Sequence, residues 1–406
     1  MSIALPDTLP WPKVQMRDVC TLHYGKALTA SKRRPGNIPV YGSNGVTGWH
    51  DTALKSGPTV MLGRKGQGPL GVKWCEGPFW VIDTAYYTSF SNAVLPRFFY
   101  YFTNLMGLNH LKDGTSNPSL TRDVFSFQDF PLPPVQEQAE IVCILETLDD
   151  KIELNRKTAA TLEEMARALY RSWFVDFDPV HAKAAGRAPA HMDAATAALF
   201  PDSFGEDGLP DGWEMGSVEE VFNVVMGQSP PGNTYNESGE GLPFFQGRTD
   251  FGFRFPTRRK YCTAPTRIAP WDSILLSVRA PVGDLNRAWE ECCIGRGVAS
   301  LSEKSGRSAY GYEAIWALSE DLKSYDSEGT VFGSINKKQL AGLEIVVPSE
   351  PLKDAYEAEA VAIDARVRNI TAEIQTLAAL RDTLLPRLMS GELRVCEARE
   401  QVEEMV

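Results

Sequence analysis

The sequence predicts an α+β chain in which two strand-rich globular domains are joined by two long helices that form an antiparallel coiled coil. One observation is a heptad pattern of apolar residues between Gln136 and Trp173. A second is the return of the same pattern 215 residues later, from Tyr356 to Leu388. A third is that the segment before each pattern is rich in short apolar runs and in Gly and Pro turns. Together they predict an internal pseudo-twofold repeat.

The first globular domain is predicted to span residues 1–135. Its short apolar runs are bounded by Gly, Pro, Asn and Ser, which is typical of strands joined by turns. A helix is expected between Pro96 and Leu111, and the segment from Asp113 to Phe127 is expected to be a loop. The runs that we interpret as strands include residues 36–42, 58–63 and 79–82.

The first long helix is predicted at residues 136–175, because a proline run precedes it and about 40 residues then pass without Gly or Pro. Such a helix would be roughly 60 Å long. Asn155 occupies one seam position, where it either fixes the register of the pair or faces solvent. The predicted seam residues are Ile141, Leu145, Leu148, Ile152, Asn155, Leu162, Leu169 and Trp173.

The second half of the chain is predicted to repeat the first after a linker at residues 176–213, where Pro, Ala, Gly and Asp dominate. A second globular domain is expected at 214–348, a second long helix at 349–395 and a tail at 396–406. The seam of the second helix is predicted to contain Tyr356, Ile363, Val367, Ile370, Ile374, Leu377, Leu384 and Leu388.

The two globular domains resemble each other more loosely than the two helices do. Leu242–Gly247 resembles Ile38–Ser43, and Ser273–Arg279 resembles Thr59–Lys65. The chain is therefore interpreted as a tandem duplication. Because the helices repeat closely, we expect them to share one task, whereas the domains would do the same kind of work on different targets.

Motifs for catalysis or cofactor binding have weak support. The run Gly66–Gly71 has the spacing G-x-G-x-x-G, but the residues after it read as a strand, so we interpret it as a glycine-rich hairpin. The sequence contains no P-loop and no H-E-x-x-H motif, and its seven cysteines include no C-x-x-C pair. We expect a non-catalytic chain with no cofactor or metal ion of its own.

The charge of the chain is negative overall but unevenly distributed. The formal net charge is −11, whereas residues 1–135 contain 13 Lys and Arg against 8 Asp and Glu. The amino terminus has prolines where a signal peptide needs an apolar run, and no stretch approaches 18 apolar residues. We therefore expect a cytoplasmic protein without a membrane span, on which basic residues form local clusters.

Polar and cationic side chains on glycine-rich loops recur in both domains, and they are the candidate ligand-binding residues. Arg, Asn and Gln carry donors and acceptors that fit base edges, and Lys suits phosphates. Each alone is more often a solvated surface group, but the recurrence favours nucleic acid. Arg254 and Asn336 are also among the polar and cationic side chains on these loops. The predicted DNA-binding residues are Lys32, Arg33, Arg34, Tyr41, Ser43, Asn44, Arg64, Lys65, Gln67, Thr115, Asn117, Gln246, Arg248, Thr249, Arg258, Arg259, Lys260, Arg279, Lys337 and Lys338.

Three blocks resemble the specificity (S) subunits of type I restriction–modification systems. They are Leu380–Leu393, the run MARALYRSWFVDFDPVHAK at 165–183, and Gly208–Glu214. The resemblance extends over the whole chain, and the order of parts in that family is the one described above.

That resemblance implies that each globular domain is a target-recognition domain that reads one half of a bipartite double-stranded DNA site. The coiled coil would set the spacing and dock two methyltransferase (modification) subunits, which would bring S-adenosylmethionine. Restriction subunits using ATP and Mg would accompany some such systems. The run at 39–45 resembles a common loop of these domains and is expected on DNA, whereas its counterpart in the second domain departs from that pattern.

Two alternatives remain open at this point. One is a coiled-coil scaffold or adaptor whose two domains bind protein or glycan rather than DNA. The other is a self-contained DNA methyltransferase or nuclease with degenerate motifs, which would need acidic metal ligands or a cofactor loop that the sequence does not show.

Overall fold

The computed structural model describes residues 9–326 and 333–405. The chain folds into two compact units, each of which combines one globular domain with part of both long helices. Unit 1 contains the chain up to Arg156 and again from Thr371 onward, and unit 2 contains Lys157–Ile370. The first eight residues of the predicted first domain lie outside the described part.

Unit 1 begins with short strands and three helices that precede the first long helix. A predicted loop is corrected here, because the segment from Asp113 to Phe127 contains helix α3. The Thr121 hydroxyl accepts a hydrogen bond from Val124 N at 3.3 Å and caps that helix. The elements are β1 (Lys13–Gln15), α1 (Met16–Val19), β2 (Cys20–Tyr24), β3 (Ile38–Gly42), β4 (Gly45–His50), β5 (Lys55–Ser56), β6 (Thr59–Gly63), β7 (Val72–Cys75), β8 (Pro78–Val81), β9 (Ala85–Phe90), α2 (Pro96–Met106), α3 (Arg122–Ser126), β10 (Asp129–Pro131) and α4 (Val135–Phe174).

The rest of the chain forms unit 2 as far as Ile370 and then returns to unit 1 along the second long helix, so the last helix, α12, belongs to unit 1. The elements are α5 (Asp178–Ala184), α6 (Ala194–Leu199), β11 (Glu214–Ser217), α7 (Val218–Val221), β12 (Phe222–Met226), β13 (Tyr235–Asn236), β14 (Leu242–Phe245), β15 (Tyr261–Cys262), β16 (Ile268–Ala269), β17 (Ile274–Ser277), β18 (Leu285–Arg287), β19 (Cys292–Ile294), β20 (Val298–Glu303), α8 (Ser308–Ala317), α9 (Ser319–Ser324), α10 (Lys337–Ala341), β21 (Glu344–Val347), α11 (Glu350–Met389) and α12 (Val395–Glu403).

The sheets of the two units have the same topology, so the predicted internal repeat is confirmed. The order β2-β9-β6-β7 in unit 1 recurs as β12-β20-β17-β18 in unit 2. In the other large sheet, β3 pairs with β8 in parallel and β5 pairs with β8 antiparallel, as β14 and β16 do with β19. One difference matters for function. Two residues join β3 to β4, whereas residues 246–260, which we call the unit 2 insertion, separate β14 from β15.

Aromatic side chains fill the core of unit 1 beside the first half of α4. Phe98 and Phe99 of α2 are fully buried and pack against Phe130 at centroid distances of 5.9 and 5.8 Å. Each such side chain contributes about 2–3 kcal/mol through burial. The Tyr101 hydroxyl donates to Asp149 Oδ2 of α4 at 2.7 Å. The globular part of unit 1 is thus fixed to the helix.

The two long helices run antiparallel within each unit, as predicted. In unit 1, Asp149 of α4 pairs with Arg381 of α11 at 2.9 Å, and Lys151 pairs with Glu373 at 3.4 Å. In unit 2, the Tyr356 hydroxyl near the start of α11 donates to Ala166 O near the end of α4 at 3.0 Å. The beginning of one helix therefore meets the end of the other.

Most of the predicted seam positions are buried. Ile141, Leu145, Leu148, Ile152, Trp173, Tyr356, Val367, Ile370, Leu377, Leu384 and Leu388 are each at most 3% exposed. Leu162, Leu169, Ile363 and Ile374 are only partly buried. In unit 2 the buried positions of α4 include Glu163 and Tyr170, one residue after Leu162 and Leu169, because Arg254 and Tyr310 of the globular domain pack against them.

Asn155 is 7% exposed, so the interpretation that it faces solvent is wrong. Its Nδ2 is buried without a hydrogen-bond acceptor in the described residues. A buried, unsatisfied amide destabilises the pair by about 1–3 kcal/mol. Its role in fixing the register stays a prediction.

The segments that the composition predicted as a linker and a tail are folded. Within residues 176–213, Val180, Phe200 and Trp213 are buried in the aromatic core of unit 2 beside Phe174. Helix α12 buries Ala398 and Val402 in the core of unit 1. A few apolar residues among Pro, Ala and Gly are enough to fold these segments, because each of those residues packs into a core formed by other elements. No helix within the described ranges combines the length and apolar character needed to cross a lipid bilayer.

Candidate nucleic-acid interface

Three predicted loops of unit 1 lie together and form what we call the unit 1 loop cluster, residues 43–44, 64–68 and 113–119. The Ser43 hydroxyl lies 2.5 Å from Lys65 O, and Gly66 N donates to Pro118 O at 3.1 Å. Gln67 Nε2 donates to Ser116 O at 2.8 Å. The cluster contains seven of the predicted DNA-binding residues, Ser43, Asn44, Arg64, Lys65, Gln67, Thr115 and Asn117.

Arg64 and Arg122, which the sequence analysis did not single out, both contact the ring of Tyr24. The guanidinium of Arg64 lies 4.6 Å from the ring centroid, and the guanidinium of Arg122 lies 3.9 Å from it. Tyr24 is 49% exposed. Lys112 was also missed, and its ammonium donates to Gly66 O at 3.3 Å. Only tertiary structure brings these side chains to the loop cluster, so no local pattern indicated them.

In the predicted cationic run of unit 1, residues 32–34, both arginines form hydrogen bonds with β4 or the turn after it. Arg33 Nη1 donates to Thr47 O at 2.6 Å. Arg34 forms two hydrogen bonds with the Asp51 carboxylate, at 2.6 and 3.0 Å, and they hold the pKa of Asp51 at about 2. Lys32 is exposed.

Tyr41 is a core residue, although the run at 39–45 placed it on DNA. It is 8% exposed and packs with Phe79 and Met61. Burial raises the pKa of its hydroxyl, and a hydrogen bond with Cys75 raises it further. Val40 and Tyr41 follow each other in β3 and are both buried, so the strand is covered on both faces and Tyr41 is not a DNA-binding candidate.

Most arginines of the unit 2 insertion are paired with carboxylates of the same unit. Arg248 pairs with Asp284, and Arg258 pairs with Glu290. Arg259 Nη2 contacts Asp250 Oδ1 at 2.5 Å and donates to Thr249 O at 2.6 Å. Gln246 and Lys260 are exposed. The donors of these arginines are thus engaged within the protein.

Arg254 of the insertion is buried rather than exposed. Its side chain is 2% exposed, stacks on Tyr312 at 3.6 Å and pairs with Asp364 of α11 and Glu163 of α4. Glu313 lies 3.7 Å from the same guanidinium. Arg254 therefore attaches the insertion to the part of the long helices that lies in unit 2.

Two adjoining cavities of about 530 and 540 Å³ form what we call the unit 2 groove. Both are lined by Arg279, Ala280 and Arg296. Gln246 and Thr249 line one, and Asn336 lines the other. Lys337 and Lys338, both predicted, are exposed at the start of α10, directly after Asn336. Arg296 was not predicted, although its place between two glycines just after strand β19 is a signal for an exposed cation on a tight turn.

Lys65 in unit 1 and Arg279 in unit 2 occupy equivalent positions. Each lies two residues after a buried strand and forms an isolated antiparallel bridge with a serine, Ser119 for Lys65 and Ser334 for Arg279. The residues before them accept equivalent hydrogen bonds, from Leu120 N at 2.8 Å and from Ile335 N at 3.1 Å. The repeat therefore places one cation at the same point of both domains.

The family model described as "Type I restriction modification DNA specificity domain" matches residues 9–164 and 210–355. The chain belongs to this family. Each match covers one strand-rich domain with the adjoining start of a long helix, so the two specificity domains correspond to the two copies of the repeat. DNA specificity, rather than a scaffold for protein or glycan, is the activity that the family description favours.

Similar proteins carry names of the same kind. A protein of Methanocaldococcus jannaschii, provisionally named the MjaX specificity subunit of a type I restriction enzyme, is 29% identical over 70% of this chain and 64% of its own length. The HindI specificity subunit of Haemophilus influenzae is 28% identical over 68% of this chain and 71% of its own. The chain thus spans somewhat under two thirds of the first relative.

A solved structure shows the same fold. The S subunit of a type I restriction–modification system from M. genitalium superposes with a TM-score of 0.59 over 96% of this chain and 99% of its own, at 17% sequence identity. At that identity the likeness concerns the fold alone. It agrees with the predicted fold class of two strand-rich domains and two long helices.

Proposed function

We propose that this chain is the DNA sequence-recognition subunit of a type I restriction–modification complex, in which each globular domain reads one half of a bipartite target. The observation that carries the proposal is the equivalent placement of Lys65 and Arg279 on polar loops of two domains with the same sheet topology. A duplicated reader is the form that a two-part DNA site requires, because each half-site needs its own set of base contacts.

The long helices supply the spacing between the half-sites in this proposal. Helices α4 and α11 each contain 40 residues and are therefore about 60 Å long. Half-sites one turn of DNA apart are separated by about 34 Å, which calls for a stiff separator. Exposed apolar side chains on the helices, among them Met165 and Val361, would contribute to docking two methyltransferase subunits.

Catalysis belongs to the partners in this proposal. The methyltransferase subunits would bind S-adenosylmethionine and methylate adenine, and any restriction subunits would use ATP and Mg. The chain itself is non-catalytic and cytoplasmic. In the part that the structure describes, no three His, Cys, Asp or Glu side chains are grouped as metal ligands would be.

The test is to co-express the chain with its methyltransferase partner in a host free of DNA methylation and to map modified adenines across the genome. The proposal predicts a two-part motif with a fixed gap, and it predicts that the motif disappears when this chain is omitted. A soluble complex that leaves the genome unmodified would contradict it and would favour a scaffold.

A further inference from the structure

The unit 2 groove contains two arginines whose donors face solvent. Arg279 and Arg296 line both of its cavities and are exposed. In the part of the chain that the structure describes, neither forms an ion pair. By contrast, Arg248, Arg258 and Arg259 of the neighbouring insertion each pair with a carboxylate. The positive charge available to an anionic partner is therefore concentrated in the groove.

The backbone on both sides of Arg296 is tightly constrained. A Cβ on Gly295 would lie 3.1 Å from Gln246 Cα, and a Cβ on Gly297 would lie 2.4 Å from Gln246 O. The contact at Gly297 leaves no room for a side chain and the contact at Gly295 is tight, so the chain carrying Arg296 lies directly against the end of β14. The arginine therefore projects from a fixed point, which reduces the entropy lost when it binds a ligand.

Arg279 is held in a similar way. The Ser277 hydroxyl lies 3.0 Å from Arg279 O and 2.8 Å from Pro281 O, and it ties the turn after β17 together. Ala280 N donates to Gly333 O at 2.9 Å on the other side of the groove. Both arginines thus extend from hydrogen-bonded backbone and line both cavities of the groove, and side chains positioned in this way suit sequence reading better than mobile surface lysines do.

We infer that Arg279 and Arg296 determine the sequence specificity of the half-site read by unit 2, by pairing with guanine edges, and that the charged insertion forms a wall of the groove. This inference rests on the proposed function. The guanidinium fork can donate two hydrogen bonds to O6 and N7 of guanine, which no other base offers as a pair of acceptors in the major groove. The groove also has apolar walls, including Val278 and Ile335, that suit contact with the rest of a base pair.

The experiment uses the full chain in complex with its methyltransferase partner and duplexes bearing the motif mapped for the unaltered chain. Affinity is measured for the intact duplex and for duplexes with one G·C pair changed in either half. Arg279→Ala and Arg296→Ala should each reduce discrimination at one G·C pair of the unit 2 half by roughly 5- to 150-fold. Discrimination in the other half should stay unchanged.

Lysine variants separate base reading from simple phosphate contact. Arg279→Lys and Arg296→Lys keep the charge but lose the fork, so the complex should still bind DNA while discrimination at that base pair falls. Alanine variants that bind every duplex more weakly but discriminate as the unaltered chain does would overturn the inference, because loss of a phosphate contact weakens binding to all sequences alike. Arg187→Ala is the matched control, since Arg187 is exposed in unit 2 and does not line the groove, and its discrimination should equal that of the unaltered chain.

The two proposals fail differently. If the unaltered complex shows no two-part motif, the proposed function is wrong. If the motif exists but the Arg279 and Arg296 variants read the unit 2 half as the unaltered chain does, only the present inference is wrong. Co-purification of each variant with the methyltransferase subunit confirms that the exposed substitutions leave the fold intact.

Discussion

At the scale of single residues, the ionic cluster around Arg254 is the feature that the sequence concealed. Charged residues scattered over residues 163–364 read as solvated surface, yet Arg254, Glu163 and Glu313 are each at most 3% exposed. Buried ion pairs contribute little net stability, but removing one partner leaves an unpaired charge that costs about 3–5 kcal/mol. No local pattern predicts such a cluster, because its members come from the insertion, α8 and both long helices.

Glu313 makes the stability of the chain depend on pH. Burial raises its pKa to about 7, and neither carboxylate oxygen has a hydrogen-bond partner in the described residues. Between pH 4.5 and 7 the folded protein therefore binds more protons than the unfolded chain, so this group lowers stability as pH rises through that window. Glu313→Gln should remove the effect and stabilise the protein at pH 8.5 by about 3 kcal/mol.

The check is the denaturant midpoint of the full chain at pH 5 and pH 8.5. The difference between Glu313→Gln and the unaltered chain should be small at pH 5 and large at pH 8.5. Glu320→Gln is the control, because its side chain is 89% exposed, and it should follow the unaltered chain. A variant with the unaltered pH dependence would show that Glu313 is ionised without cost.

At the scale of elements, the heptad pattern predicted both long helices because a seam depends only on local spacing. The pattern could not show that Glu163 and Tyr170 would be buried in unit 2, since the domain packed against that part of α4 decides which side chains are covered. The parallel pairing of β3 with β8 could not be predicted from local sequence either, because it depends on strands that are distant along the chain. Tyr41 was misassigned because the loop motif could not show that β3 is buried on both faces.

The seam makes a direct prediction about stability. Leu148 is fully buried, so Leu148→Asp places a charge in the core of unit 1 and should lower the free energy of unfolding by several kcal/mol. Leu154→Asp is the matched control on the same helix, because Leu154 is 59% exposed. The denaturant midpoints of the two variants give the comparison, and Leu148→Asp should also abolish assembly with the methyltransferase subunit. Equal midpoints would refute the seam.

Ile363→Asp should have a smaller effect than Leu148→Asp. The sequence gives both residues the same place in the seam, but Ile363 is only partly buried in the structure. The energetic consequence of a seam substitution thus depends on how the globular domain covers each helix.

At the scale of the whole molecule, the sequence predicted that the two domains are copies with equivalent candidate sites. The offset of 215 residues between the seams also relates Ser119 to Ser334, the bridge partners of Lys65 and Arg279. Lys112 and Arg122 could not be assigned to the site from sequence, because each reaches it through packing, whereas the glycines beside Arg296 were a signal that the prediction did not use. The unit 2 insertion, which has no counterpart between β3 and β4, explains why the loop at 39–45 has no clear equivalent in the second domain.

The charge of the chain predicts how it binds DNA alone. With a net charge of −11, it should bind weakly without partners, and the affinity should fall steeply as salt rises from 50 to 200 mM. Fluorescence anisotropy with a labelled duplex measures both. Tight, sequence-specific binding by the isolated chain at physiological salt would contradict this prediction.

The most direct test of the central claim compares Lys65→Ala with Arg279→Ala in the genome-wide methylation map. Because the two residues occupy equivalent positions in separate domains, each variant should relax only one half of the two-part motif, and the halves should differ between them. Relaxation of both halves by either variant, or of the same half by both, would contradict the account of two independent readers in one chain.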